Sequence, residues 1–175
     1  MFWRHGYEGV DVGRIAKAVH VSKPALYRAF GDKSTLLLKA VERYVERFGA
    51  PKLAAFMSEP DINKAVLEFC ETTVGKTTGD TGLGCMMAAA VLGQSERVTE
   101  IRRYAASGLT MSADILAERF EREIRAGNLP ETPSARVRGR ALIDLMQGLL
   151  LRAKAGINRE YLLADARSYV PLLLR

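Results

Sequence analysis

The chain has 175 residues and a net charge of +6, with 48% hydrophobic and 26% charged residues, enough apolar material to bury a core in one or two domains. No apolar run approaches the ~18 residues of a membrane helix, and the opening Met1-Phe2-Trp3-Arg4-His5 lacks a signal peptide's apolar stretch, so a cytoplasmic protein is expected. Two cysteines, Cys70 and Cys85, exclude a disulfide framework and have none of the paired spacing of a zinc site, so both thiols are expected reduced, with no metal and no cofactor.

Strand signals are almost absent, because no segment alternates apolar and polar residues for long enough, and the expected fold class is all-α. Val12, Ile15, Ala16 and Val19 share one helical face after Asp11 as N-cap, which predicts a helix over 12–18. Ser22 caps the next helix, whose buried stripe is Leu26, Ala29 and Phe30. Pro24 lies in its first turn, where the missing N–H breaks no intrahelical bond. Gly31 closes this helix and Asp32 caps a third, with Leu37, Val41, Tyr44 and Phe48 on one face, ending at Gly49-Ala50-Pro51. That break divides a head, residues 1–50, from a body, residues 51–175. In the body, helices are predicted at about 61–77, 84–92, 95–126, 134–155 and 159–174.

Charge follows the same division. Residues 1–39 hold seven Lys or Arg against Glu8, Asp11 and Asp32, whereas the remainder holds 19 against 17. A small basic head on a nearly neutral body points to a polyanion. Two short helices joined by a tight turn form a helix-turn-helix, which in turn predicts a double-stranded DNA partner. On the second of them, Lys23, Pro24, Ala25, Tyr27 and Arg28 face outward: cations for phosphate or guanine edges, small apolar groups for thymine methyls, and a hydroxyl for phosphate oxygen.

Gly6-Tyr7, Ile15-Ala16, Val21-Ser22, Leu26-Tyr27, Phe30 and Lys33 stand in the order and spacing of a known pattern. From Gly6 to about Phe48 the chain resembles the DNA-binding head of TetR-family transcriptional regulators. The resemblance implies that Lys23, Pro24, Ala25 and Arg28 face the groove and that Tyr27 and Lys33 contact phosphate. Ser22 at the helix start, and Arg14 and Lys17 on the preceding helix, are added as further DNA contacts. For the remainder, it implies a helical body that binds a small-molecule effector and dimerises through its last two helices, in a protein that usually represses transcription until the effector binds. Two departures stand out. His20 occupies the turn position where the family usually has Gly, a place that favours positive φ. Only Met1 to His5 precede Gly6, where the family has a full helix, so the natural protein is expected to begin roughly ten to twenty residues upstream, or else the head to be loosened.

In the body, Ile101, Ala105, Leu109, Leu116, Phe120 and Ile124 repeat at helical spacing as core positions. Stripes formed by Leu142, Leu145, Met146, Leu149 and Leu150, and by Leu162, Ala166, Tyr169, Val170 and Leu173, are wide enough for two neighbours. Leu142, Leu145, Leu149, Leu162, Ala166, Tyr169, Val170 and Leu173 are therefore candidates for an isologous homodimer. Phe69, Cys70, Cys85, Met86, Met87, Tyr104, Met111 and Met146 are candidates for an adaptable apolar effector pocket, or equally for plain core. Cys85 near a helix start admits a thiol-sensing role beside that of an inert buried thiol.

Enzyme signatures are missing. Gly75-Lys76-Thr77-Thr78 resembles the end of a phosphate loop, but Cys70 stands where the loop needs Gly and a helix precedes it. No GxSxG or HExxH is present, and the acidic residues are expected on solvated faces. The sequence therefore predicts a ligand-responsive DNA-binding regulator. The alternatives are a helical interaction or sensor module whose head no longer binds DNA, and a small all-helical enzyme.

Overall fold

The computed structural model describes residues 1–77, 84–88 and 99–175, and among these every regular element is helical. In chain order they are α1 (Phe2–His5), α2 (Val12–Ala18), α3 (Lys23–Phe30), α4 (Lys33–Tyr44), a π-helical turn (Val45–Gly49), α5 (Ala50–Ser58), α6 (Ile62–Thr77), α7 (Thr99–Arg125), α8 (Ala135–Lys154) and α9 (Arg159–Leu174). The predicted helices at 84–92 and 95–126 lie partly outside the described residues. Gly75 is inside α6, so the backbone there is helical and forms no phosphate loop.

One expectation fails at Gly49-Ala50-Pro51, which does not stop the third helix. The chain passes through the π-helical turn, where the Ala50 N–H donates to the Val45 carbonyl, and continues as α5 with Pro51 in its first turn. The extra residue in that turn shifts the hydrogen-bond register just ahead of Pro51, which has no N–H to donate. Lys33 to Ser58 thus form one helical run.

α7 and α8 make the tightest helical pair. A Cβ added to Gly139 would lie 2.4 Å from the Ala113 carbonyl oxygen and 2.9 Å from the Ala117 nitrogen, so this crossing accepts no side chain. α6 packs against α8 and α9, and α5 lies on α6 and α7. Phe56, Phe69 and Phe120 meet edge to face at the centre, with centroids 5.5 and 5.9 Å apart. Phe2, Val10, Leu37 and Val41 belong to this same large core, while Val12, Ala16 and Leu26 form a separate small one.

Two buried arginines hold the corners. Arg119 is 1% exposed and bonds the Glu59 carbonyl at 2.6 Å and the Pro60 carbonyl at 3.0 Å, closing the carbonyl end of α5 onto α7. Its Nε donates to Glu123 at 2.8 Å. Glu123 is therefore an exception to the expected solvated acids: it is buried and balances Arg119. Arg138, also buried, donates to the carbonyls of Pro133 (2.9 Å), Pro130 (3.0 Å), Arg175 (3.1 Å) and Leu173, tying the 130–133 loop and the end of α9 to α8. Burial lowers its pKa.

Gly139→Ala is expected to lower stability by about 1–3 kcal/mol despite alanine's better helix propensity, because overpacking at backbone contact distance dominates. The midpoint of urea unfolding at fixed protein concentration measures this, and an unchanged midpoint would contradict the close crossing.

Candidate nucleic-acid interface and effector cavity

In the head, the Asp11 side chain accepts from the Gly13 N–H to start α2, and the Ser22 hydroxyl accepts from the Ala25 N–H at 3.2 Å to start α3. Between them the Val21 N–H donates to the Ala16 carbonyl at 3.0 Å, and His20 adopts φ 55°, the left-handed conformation expected at this turn. Val12, Ala16 and Leu26 are buried against each other with Ile15 and Phe30 beside them. That small core fixes which face of α3 is left over: Lys23, Pro24 and Arg28 are exposed, Tyr27 is 41% exposed, and Ala25 is half-buried. The Lys23 ammonium lies 6.0 Å from the Tyr27 ring centroid. Arg14 and Lys17 are exposed on α2.

Asp32 caps α4, accepting from the Thr35 N–H at 2.7 Å and the Thr35 hydroxyl at 3.0 Å. These bonds, the backbone one first, hold its pKa below the ordinary carboxylate value. Next to it, Lys33 is half-buried, its ammonium 4.4 Å over the Tyr7 ring, while the Tyr7 hydroxyl hydrogen-bonds the Ser34 hydroxyl at 3.0 Å. Lys33 is thus held by an aromatic face and leaves its charge at the helix start. The Gly6-Tyr7 and Lys33 positions read from sequence form one structural unit.

In the middle of the same helical run, Tyr44, Val45, Gly49, Ala50, Lys52 and Leu53 form one wall of a cavity of about 310 Å³. Residues of α6, α7 and α8 and the 84–88 segment complete it. The volume falls in the range of small-molecule sites. Burial first, then the Cys85 thiol, raises the pKa of Tyr44 well above the usual phenol value, so Tyr44 presents a neutral hydroxyl. Trp3 stacks edge to face on Tyr44 at 4.9 Å, and its indole N–H donates to the Gly84 carbonyl at 3.0 Å.

Residues 1–40 match the model for bacterial regulatory proteins of the tetR family. The chain is 26% identical over 168 residues to the HTH-type transcriptional repressor ComR of Escherichia coli K12, covering 95% of this chain and 80% of that protein. It superposes with a TM-score of 0.89 at 26% identity on the TetR-family regulator CifR bound to a 26-base-pair operator DNA, over 97% of this chain and 90% of that one. The first 40 residues thus carry a tetR-type head, and nearly the whole chain is similar to TetR-family regulators. A TetR regulator from Rhodococcus sp. RHA1 is similar at 29% identity with a TM-score of 0.69, covering 99% of this chain and 93% of its own.

Within this fold the sequence-derived sets separate. Phe69, Cys85, Met87, Tyr104, Met111 and Met146 line the cavity, but Cys70 and Met86 do not: both are buried core side chains, and burial pushes the Cys70 thiol up to about 12. The cavity residues missed in the sequence include Lys52, Ser107 and Ser112, which the pattern alone leaves on helix surfaces, and Tyr44, which it places on an apolar face as core. Of the candidate dimer residues, Leu142, Leu149, Leu162, Ala166 and Val170 fill the chain's own core and are not available to a partner. Leu145 and Leu173 are half-buried and Tyr169 is 39% exposed. The outer apolar residues of α8 and α9 are instead Val137, Leu151, Tyr161 and Leu172, between 52% and 70% exposed.

Asp32→Ala is expected to loosen the start of α4 by about 1 kcal/mol, the usual worth of such a cap. Because the folded carboxylate titrates below its unfolded value, the cap's contribution is complete above the unfolded pKa and is lost as pH falls through the folded one. Acid unfolding followed by circular dichroism should therefore show a shallower pH dependence in the variant than in the parent.

Proposed function

We propose that the protein is a homodimeric, ligand-responsive transcriptional repressor in the cytoplasm that sets one α3 from each subunit into successive major grooves of a pseudo-palindromic operator. The observation that carries this reading is one helical run with a basic recognition face folded against its start and a cavity built into its middle. Residues 1–50 are the DNA-binding unit, and residues 51–175 bind the effector and dimerise. Lys23, Pro24, Ala25 and Arg28 meet base edges, and Tyr27, Lys33, Arg14 and Lys17 meet the backbone. The outer faces of α8 and α9, with Tyr169 and the exposed residues named above, form the isologous interface. CifR, similar over nearly the whole chain, was solved on operator DNA, and ComR is named a repressor. Both are regulators of transcription, and the chain is read in the same class, without catalysis.

Because Tyr44, Val45, Gly49 and Ala50 are both cavity wall and stem of the head, an effector that contacts them differently in two head positions shifts the dimer between DNA-competent and incompetent states. A second reading of the signal is favoured by Cys85, which lines the same cavity. The structures of CifR on DNA carry cysteine substitutions. In this reading an electrophile or oxidant modifies the Cys85 thiol in place of reversible occupancy.

Selection of bound duplexes from a random pool should return a palindromic motif. Lys33→Ala and Tyr27→Phe should weaken binding to all sequences alike, with Lys33→Ala reducing the salt slope by about one. Lys23→Ala and Arg28→Ala should also relax sequence preference, at about 1–3 kcal/mol for a base-contacting arginine. Unchanged DNA binding in both classes would favour the interaction-module alternative. Cys85→Ser should abolish release from DNA by thiol-reactive compounds if the thiol is the sensor, and leave it unchanged otherwise.

A further inference from the structure

Residues 84–86 are held from two sides. From α1, the Trp3 indole N–H donates to the Gly84 carbonyl at 3.0 Å. From the end of α4, the Tyr44 hydroxyl hydrogen-bonds the Cys85 thiol and accepts from the Met86 N–H. The Trp3 and Tyr44 rings meet edge to face at 4.9 Å, and the Phe48 ring lies 5.8 Å from Trp3, so both groups share one aromatic seat. On the other side the segment rests on α8. The Gln147 amide nitrogen is 3.8 Å from the Cys85 sulfur. Gly84 has φ 66°, and a Cβ there would come within 3.3 Å of the Leu150 carbonyl oxygen and of Lys154 Cβ, so conformation and close approach both call for glycine. Cys85 and Met87 then enter the cavity wall.

We propose that Trp3 is a positioning residue that, with Tyr44, clamps residues 84–86, so that this part of the cavity wall and the DNA-binding head move as one unit. The inference rests on the head binding DNA and on the cavity being the effector site. It adds a second route between them, beside direct contact with the stem. The bonds come from two separate helices, α1 and α4, so a shift of the segment strains both. Each is a single hydrogen bond of modest worth, which suits a joint that has to open. A head already fixed on the body loses less freedom when two α3 helices are seated at a set spacing, so the clamped arrangement is the DNA-competent one. An effector that displaces Cys85 or Met87 pulls on this joint and frees the head. Coupling between sites is reciprocal, so DNA that selects clamped heads steadies residues 84–86 in turn.

That reciprocity lets DNA stand in for the effector in the test. Two hydrogen-exchange rates are followed in the full chain: the backbone amides of residues 84–88 by mass spectrometry, and the Trp3 indole N–H by NMR. Trp3→Phe keeps a ring against Tyr44 but removes the donor to Gly84, and should speed exchange at 84–88 about fivefold, the worth of one hydrogen bond. Tyr44→Phe, which serves alone if Trp3→Phe loses helical content, should speed exchange of the Trp3 indole by a similar factor. If neither variant changes the rate read at the opposite end, there is no clamp. Saturating the parent with the palindromic duplex obtained by random-pool selection should slow both rates about fivefold, and in Trp3→Phe the slowing at 84–88 should fall to within about twofold. An unchanged or faster rate in the DNA-bound parent overturns the inference and leaves DNA binding standing. A slowing shared equally by the amides around the Gly139 crossing does the same, because it is general stabilisation by a ligand. If no duplex binds, the reading of the head fails and the inference fails with it.

Discussion

The helical run from Lys33 to Ser58 has to serve two ends of one core at once, and the other helices are arranged around that constraint. Its first half gives Leu37 and Val41 to the side on which Phe2 and Val10 pack, and its second half drives Phe56 between Phe69 and Phe120. A straight α-helix keeps a fixed relation between those faces. The π-helical turn inserts one residue and changes it, and the wider turn leaves Val45 and Gly49 as cavity wall instead of filled core. The irregularity in the middle of the rod and the space beside it thus have one origin.

The far end of the run is secured by charge as much as by apolar contact. Carbonyls at a helix end normally need solvent or a glycine turn, but those after Ser58 are turned inward and satisfied by Arg119. A guanidinium with its donors in a fixed fork can bond several carbonyls from different peptide planes, which an ammonium cannot match in geometry. Arg138 does the equivalent work where the 130–133 loop and the end of α9 meet. Each arginine anchors a corner by polar geometry where apolar side chains alone would leave peptide groups without partners.

The head was legible because its information is local. Asp11, Ser22 and Asp32 cap within three residues of themselves, and Pro24 is confined to a first turn, while His20 takes the positive φ of the turn although it stands in place of the expected Gly. The small core of Val12, Ala16 and Leu26 then leaves one face of α3 outside without help from the body. The cavity and the dimer candidates depend instead on which neighbour each face meets, and helical period does not encode this. Leu142 and Leu149 read as a shared stripe but belong wholly inside, whereas Lys52, an ordinary surface residue by type, is drawn in by Thr73, Met146 and Phe69. The continuation past Gly49-Ala50-Pro51 was illegible for another reason: proline and glycine are punctuation in a regular helix, and the register shift that neutralises them leaves no composition signal.

The chain contains a single tryptophan, and it occupies the joint between these two worlds. Trp3 leans on Tyr44 and Phe48 of the stem and reaches across to the Gly84 carbonyl, immediately before Cys85 in the cavity wall. An indole whose N–H is held by a peptide carbonyl and whose ring lies among aromatics has an emission colour and lifetime set by that seat. The protein therefore carries its own optical gauge of how firmly the head is docked, one that needs no label.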